Sequence, residues 1–176
     1  IGGVVTRECE MASGLDGVPD EIAESMGQAA NNLKIPVTGM RGMADAIMTA
    51  HLVNRNVDPD WPVTLSEKFI GPQLRTRDGF DGVVVTDDLH MGAIQQHHSL
   101  RESVVRAIVA GNDVLVFSNN PGAAKNAPGF VPRYDMGQHA ATLVREAIAR
   151  GELTTEQVDA AWQRLARLRG KLAAAH

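Results

Sequence analysis

Apolar and polar positions are arranged along this chain in two different ways. Three short runs, Ala46–Ala50 (AIMTA), Gly82–Thr86 (GVVVT) and Asp113–Ser118 (DVLVFS), are apolar almost without interruption. Runs of that length with no polar face predict parallel strands covered on both sides. Elsewhere the apolar residues recur every three to four positions. Leu100, Val104, Val105 and Ile108 form one stripe of a helix over Leu100–Ala110. Ser99 and Glu102 are spaced as its capping box, and Gly111 is its stop. Val158, Trp162, Leu165, Leu168 and Leu172 form the expected buried face of a last helix over Thr155–Ala173, capped by Thr154 and Gln157. Ile22, Met26, Ala29 and Leu33 predict an earlier helix over Asp20–Leu33. A further one is expected near Ser66–Arg77, kinked or cut short at Pro72.

From residue 46 the order is therefore strand, helix, strand, helix, strand, helix. That alternation predicts an α/β fold with a parallel sheet and right-handed crossovers. The sheet could be doubly wound or closed into a (β/α)₈ barrel of the TIM type. A full barrel takes about 250 residues, and the chain has 176, read as one domain over 1–176. The stretch Asn119–Gly137, with three Pro and three Gly, reads as a long loop.

Composition narrows the function classes. A net charge of -4 and 4% aromatic residues argue against a nucleic-acid binder. No apolar run reaches the roughly 18 residues of a membrane span, and IGGVVTRECE does not read as a signal peptide. Cys9 is the single cysteine, so no disulfide framework is expected and a cytoplasmic setting fits. The phosphate-binding patterns GxGxxG and GxxxxGK[ST] are absent. No spacing of His, Cys, Asp and Glu supplies a metal-ligand set, so neither a metal nor another cofactor is expected.

In parallel α/β sheets the reactive groups gather at the carboxyl ends of the strands. Here the three strands turn polar at the same relative point, at Thr49-Ala50-His51, Thr86-Asp87-Asp88 and Ser118-Asn119-Asn120. Asp87 and Asp88 are adjacent, so on an extended chain they point to opposite faces. One is expected to face a site and the other to cap the next turn; alternatively both are ordinary turn residues. His51 could act as a general acid or base, a metal ligand, or a pocket-lining residue, the last being favoured. His90 and the pair His97-His98 read more weakly as loop residues. Gly2-Gly3-Val4-Val5-Thr6-Arg7 could be a tight loop presenting Arg7, whose guanidinium suits the oxygen-rich face of a sugar or a carboxylate. A phosphate-receiver-like reading would need a Lys at a later strand end, where this chain has Ser118-Asn119-Asn120.

The segments AIMTAH, PVTLSEKFIGPQLR and GFDGVVVTDDLHMGAI, within Ala46–Ile94, resemble glycoside hydrolase family 3, most closely its β-N-acetylglucosaminidase (β-hexosaminidase) branch. The resemblance continues through ESVVRAIVAGNDVLVFSNN and covers roughly Ala44–Leu172; GGVVTR is a fainter match to the family's third-strand region. It implies an incomplete (β/α)₈ barrel whose strands correspond to the sixth, seventh and eighth. It implies Asp87 as the nucleophile of a retaining hydrolase acting on terminal, non-reducing β-linked N-acetylglucosamine, as in cell-wall fragment recycling. Arg7, His51 and Met91 are implied as substrate contacts. The family's KHFPGHG segment and its His–Asp acid/base loop have no counterpart in this sequence. The alternative is an impaired fragment that binds sugar or self-associates through open sheet edges as a homo-oligomer.

Overall fold

The computed structural model describes residues 9–11, 44–124 and 130–174. Its strands are β1 (Cys9–Met11), β2 (Ala46–Met48), β3 (Leu52–Asn54), β4 (Val83–Asp88) and β5 (Val114–Val116). Its α-helices are α1 (Gly92–Gln95), α2 (Leu100–Ala110), α3 (Pro121–Ala124), α4 (Met136–Ala149) and α5 (Thr155–Ala174). The three apolar runs form one parallel sheet in the order β2-β4-β5, with Ile47 opposite Val84 and Val85 opposite Val114. The antiparallel pair β1–β3 was not expected from the sequence. The predicted helix over Asp20–Leu33 lies outside the described residues.

Two crossovers link the parallel strands. From β2 the chain passes through a 3₁₀ turn (Val63–Leu65) and a π-helical segment (Phe69–Arg77) to β4. The expected kink at Pro72 takes the form of that wider helix, closed by Asp78 N–H donating five residues back to Gln73 O at 2.9 Å. In an α-helix the Pro72 ring would crowd the carbonyl four residues earlier, and the wider turn gives it room. From β4 the chain returns through α1 and α2. The α2 limits match the predicted ones, the Ser99 hydroxyl accepts from Glu102 N–H at 3.1 Å, and Gly111 takes a left-handed φ of 106°. A side chain there would be strained, which is why glycine stops the helix.

Ile47, Ile70, Leu74, Phe80, Val84 and Ala110 form a core between the sheet and the π-helix. Leu65, Leu89, Ile94 and Ala107 form a second beside Trp61, Leu115 and Phe117, and α2 packs on α4 through Val105 and Ala147. Gly82 is held tightly before β4: a Cβ there would lie 2.7 Å from Asp45 O.

Three expectations are corrected. The Asn119–Gly137 stretch is not all loop, because it contains α3 and the start of α4. The strands are not all covered on both faces: β2 buries Ile47 but exposes Ala46 and Met48. The α5 stripe is not buried either, with Trp162 57% and Leu172 58% exposed. The physical reason is that α5 docks through charge. Arg164 donates to the buried Asp113 carboxylate at 2.8 Å, Arg167 to Asp81 O at 3.1 Å and Lys171 to Asp45 at 2.7 Å. Each of those acceptors lies at the start of one parallel strand, so α5 sits across the end opposite the candidate site.

Candidate active site

The carboxyl ends of β2, β4 and β5 converge on a polar cluster, and a distortion of β4 sets its geometry. Val85 pairs with Val114 and Asp88 with Val116, so two residues, Thr86 and Asp87, face the single Leu115. This is the count of a β-bulge, a device that re-aims side chains near strand ends. Thr86 is buried, and its hydroxyl accepts from Val116 N–H at 2.9 Å, which closes the ladder across the bulge. Asp87 is half-buried, and its Oδ1 accepts from Asp88 N–H at 2.7 Å. Its carboxylate makes no other hydrogen bond among the described residues.

Asp88 has a different occupation. It is buried, and its Oδ1 accepts from both His90 N–H and Ser118 N–H at 2.9 Å. The two aspartates thus differ in their partners: Asp88 ties the turn to the exit of β5, and Asp87 takes the Asp88 N–H alone among the described residues.

His51 is also buried, and both ring nitrogens have partners. Nε2 lies 2.9 Å from Asp88 O; a carbonyl only accepts, so Nε2 carries the proton and donates. In the neutral ring Nδ1 then accepts from the Thr64 hydroxyl at 3.0 Å, and Thr64 accepts from the Thr49 hydroxyl at 3.2 Å. Asn112 anchors the cluster by donating to Thr64 O at 2.8 Å and Ala107 O at 2.7 Å. Burial pushes the His51 pKa down, against its Asp88 carbonyl bond and the Asp87 and Asp88 carboxylates, which pull it up. Occupied at both nitrogens, His51 is placed to brace the backbone beside Asp87.

Met91 is half-buried at the start of α1, where its N–H donates to Asp88 O at 3.0 Å. Arg7 lies outside the described residues. Asp87, Asp88, His51 and Met91 are thus brought to one strand end. The sequence reading placed Thr49 at a polar strand end but missed Thr64 and Asn112 as members of the cluster. No periodic signal separates a buried Thr from a surface one, although Thr64 falls inside PVTLSEKFIGPQLR. An apolar cleft lined by Ile47, Met48, Ala50, Leu52, Val63 and Phe69 opens beside β2, and Asp87 does not line it. Among the described residues no three of His, Cys, Asp and Glu come together as a metal site.

The family model for the glycosyl hydrolase family 3 N terminal domain matches residues 34–168. The chain belongs to that family. A family 3 β-N-acetylglucosaminidase from Paenibacillus sp. superposes with a TM-score of 0.67 at 31% identity, over 85% of this chain and 26% of that one. A β-hexosaminidase from Pseudomonas aeruginosa is 29% identical over 66% of this chain and 34% of its own length. An uncharacterized secreted glycosyl hydrolase from Arthroderma benhamiae is 28% identical over 90% of this chain and 42% of its own length. The family 3 chain described here therefore spans less than half the length of these relatives. No helix among the described residues is long and apolar enough to cross a membrane.

Proposed function

We propose that this chain carries the nucleophile half of a retaining β-N-acetylglucosaminidase site, with Asp87 as the attacking carboxylate. One observation carries the reading: in a family 3 chain, the carboxylate at the β4 bulge takes a single hydrogen bond, from Asp88 N–H, among the described residues. Asp87 Oδ attacks the anomeric carbon of a terminal, non-reducing β-linked N-acetylglucosamine and displaces the leaving-group oxygen. A glycosyl ester forms, and water attacks the same carbon to release the sugar and regenerate the carboxylate. His51 braces the strand end, and Met91 and Arg7 contact the sugar. On this reading β2, β4 and β5 correspond to the sixth, seventh and eighth strands of a (β/α)₈ barrel. The β-hexosaminidase name of one relative supports the substrate class, and cell-wall fragment recycling in the cytoplasm is the setting proposed with it.

A positioned general acid contributes about 10²–10⁴-fold in glycosidase-type proton transfers. A substrate whose leaving group needs no protonation tests Asp87 without it. A 4-methylumbelliferyl β-N-acetylglucosaminide should be cleaved, and Asp87→Ala should lower turnover on the order of 10⁴-fold or more. Equal turnover by the two proteins would overturn the assignment.

A second reading, self-association, draws on the exposure of β2. Among the described residues β2 pairs with β4 alone, and Met48 on it is 54% exposed. An apolar strand edge of that kind accepts another strand.

A further inference from the structure

His90 has no part in the hydrolysis proposed above, yet it is buried to 3% exposure. Its ring meets Phe130 edge-on with centroids 5.0 Å apart and packs against Phe117 at 5.3 Å. Its Nδ1 accepts from the backbone N–H of Asn119 at 3.2 Å. Asn119 has a φ of 55°, in the left-handed region that non-glycine residues enter at a cost. The Asn119 side chain then makes a two-way bond with the loop before α4. Its Nδ2 donates to Arg133 O at 3.1 Å, and its Oδ1 accepts from Arg133 N–H at 2.8 Å. One ring nitrogen therefore holds a strained residue, and that residue holds the segment around Arg133.

We propose that His90 is a proton-sensitive positioning residue: as a neutral imidazole it latches the β5 exit and the Arg133 segment onto the strand end that carries Asp87, and on gaining a second ring proton it releases them. The proposal does not rest on the hydrolase reading.

The direction of the bond makes the latch sensitive to protons. A backbone amide can only donate, so Nδ1 must be bare and the ring proton must sit on Nε2. Protonating Nδ1 would set two N–H groups against each other. His51 differs, because the partner of its Nδ1 is the Thr64 hydroxyl. That hydroxyl can turn from donor to acceptor, so the His51 bond survives protonation.

Burial pushes the His90 pKa below its ordinary value of 6.5, while the Asp88 carboxylate pulls it the other way. The β5 exit presents Phe117, Ser118 and Asn119, none of which titrates in this range. The loop before α4 presents Arg133 and Asp135, which are paired with each other at 2.9 Å. With its pKa lowered, the latched form binds fewer protons than the released form. The latch is therefore fully closed above pH 6.5 and loosens as pH falls through the window below it.

Residue-resolved amide exchange on ¹⁵N-labelled chain, corrected for intrinsic rates, tests this without any turnover. The Asn119 and Arg133 amides should be protected at about pH 7.5 and lose roughly fivefold of that protection by about pH 5, the equivalent of one net hydrogen bond. The α2 amides should not follow. His90→Phe keeps the ring packing but has no acceptor, so Asn119 should be unprotected at every pH. His90→Gln keeps a neutral acceptor, so protection should persist and be flat with pH. Flat Asn119 protection in the wild type would overturn the proposal, as would wild-type protection in His90→Phe. If the variants do not fold, the wild-type titration decides alone.

Discussion

At the scale of single residues, the site rests on hydroxyls that fix the direction of its hydrogen bonds. Thr64 accepts from Thr49 and donates to His51, whose other nitrogen holds the Asp88 carbonyl. Valine has the shape of threonine but can neither accept nor donate. Thr64→Val would leave the buried His51 Nδ1 short of its donor, at about 1–3 kcal/mol, while the Thr49 hydroxyl keeps Val85 O and Asn112 Oδ1 at 3.4 Å as acceptors. Urea unfolding should place Thr64→Val about 1–3 kcal/mol below wild type, whereas a fully solvated threonine would change stability by less than about 0.5 kcal/mol. The strand-end pattern marked Asp87 and Asp88 together without choosing between them, and only the resemblance singled out Asp87. The sequence made His51 legible as a residue but not as a brace. Its role depends on Thr49, Thr64 and Asn112, which come from three separate segments and share no periodicity.

At the scale of elements, α2, with local signals at both ends, was readable to the residue, and α5 to within one residue. The Ser99 cap and the Gly111 stop of α2 depend on neighbours a few positions away, so the sequence contains them whole. The α5 cap is equally local, with Thr154 N–H donating to Gln157 at 2.9 Å and Gln157 N–H to Thr154 at 3.3 Å. The face that α5 turns inward was not readable, because it is decided by acceptors far away in the chain. Helix α4 was not read from the sequence, although only Met136 and Gly137 of it lie in the stretch taken as loop and its buried Ala140, Leu143 and Ala147 recur at helical spacing. The strongest of the distant contacts is at Asp113, which is fully buried between Arg164 and Arg75, each at 2.8 Å. Asp113 Oδ2 also accepts from Val84 N–H at 2.8 Å, which ties α5 and the π-helix to the middle strand. Removing one partner of a buried ion pair costs about 3–5 kcal/mol, because the charges left behind are desolvated without compensation. Asp113→Ala should lose about that much by thermal or urea unfolding. Lys171→Ala, by contrast, breaks only the solvent-exposed pair with Asp45 and should leave the unfolding midpoint close to that of wild type. Similar losses for the two variants would mean that α5 is not held through Asp113.

At the scale of the whole molecule, alternation predicted a parallel sheet without fixing its strand order, while the resemblance pointed to the family that residues 34–168 match. What the pattern could not give is how much of each strand is covered. Continuous apolarity marks a strand that is compatible with burial on both faces, but burial depends on what packs against it. Met48 shows the difference, since it sits in an apolar run and is 54% exposed. Thr49 N–H donates to Val85 O and Asp45 O accepts from Val83 N–H, so on a pleated strand the backbone of Ala46 and Met48 points the other way, toward the outer edge. Natural sheets blunt such edges with charge, above all with lysine. If β2 recruits a second copy, sedimentation at micromolar concentration should give a species heavier than the monomer, and its weight should fall on dilution. Met48→Lys leaves Ile47 and the buried side of β2 untouched and puts a charge beside the unpaired backbone, so it should shift the chain toward monomer without lowering its unfolding midpoint. A wild-type chain that sediments as a monomer throughout would remove the self-association reading and leave the Asp87 chemistry untouched.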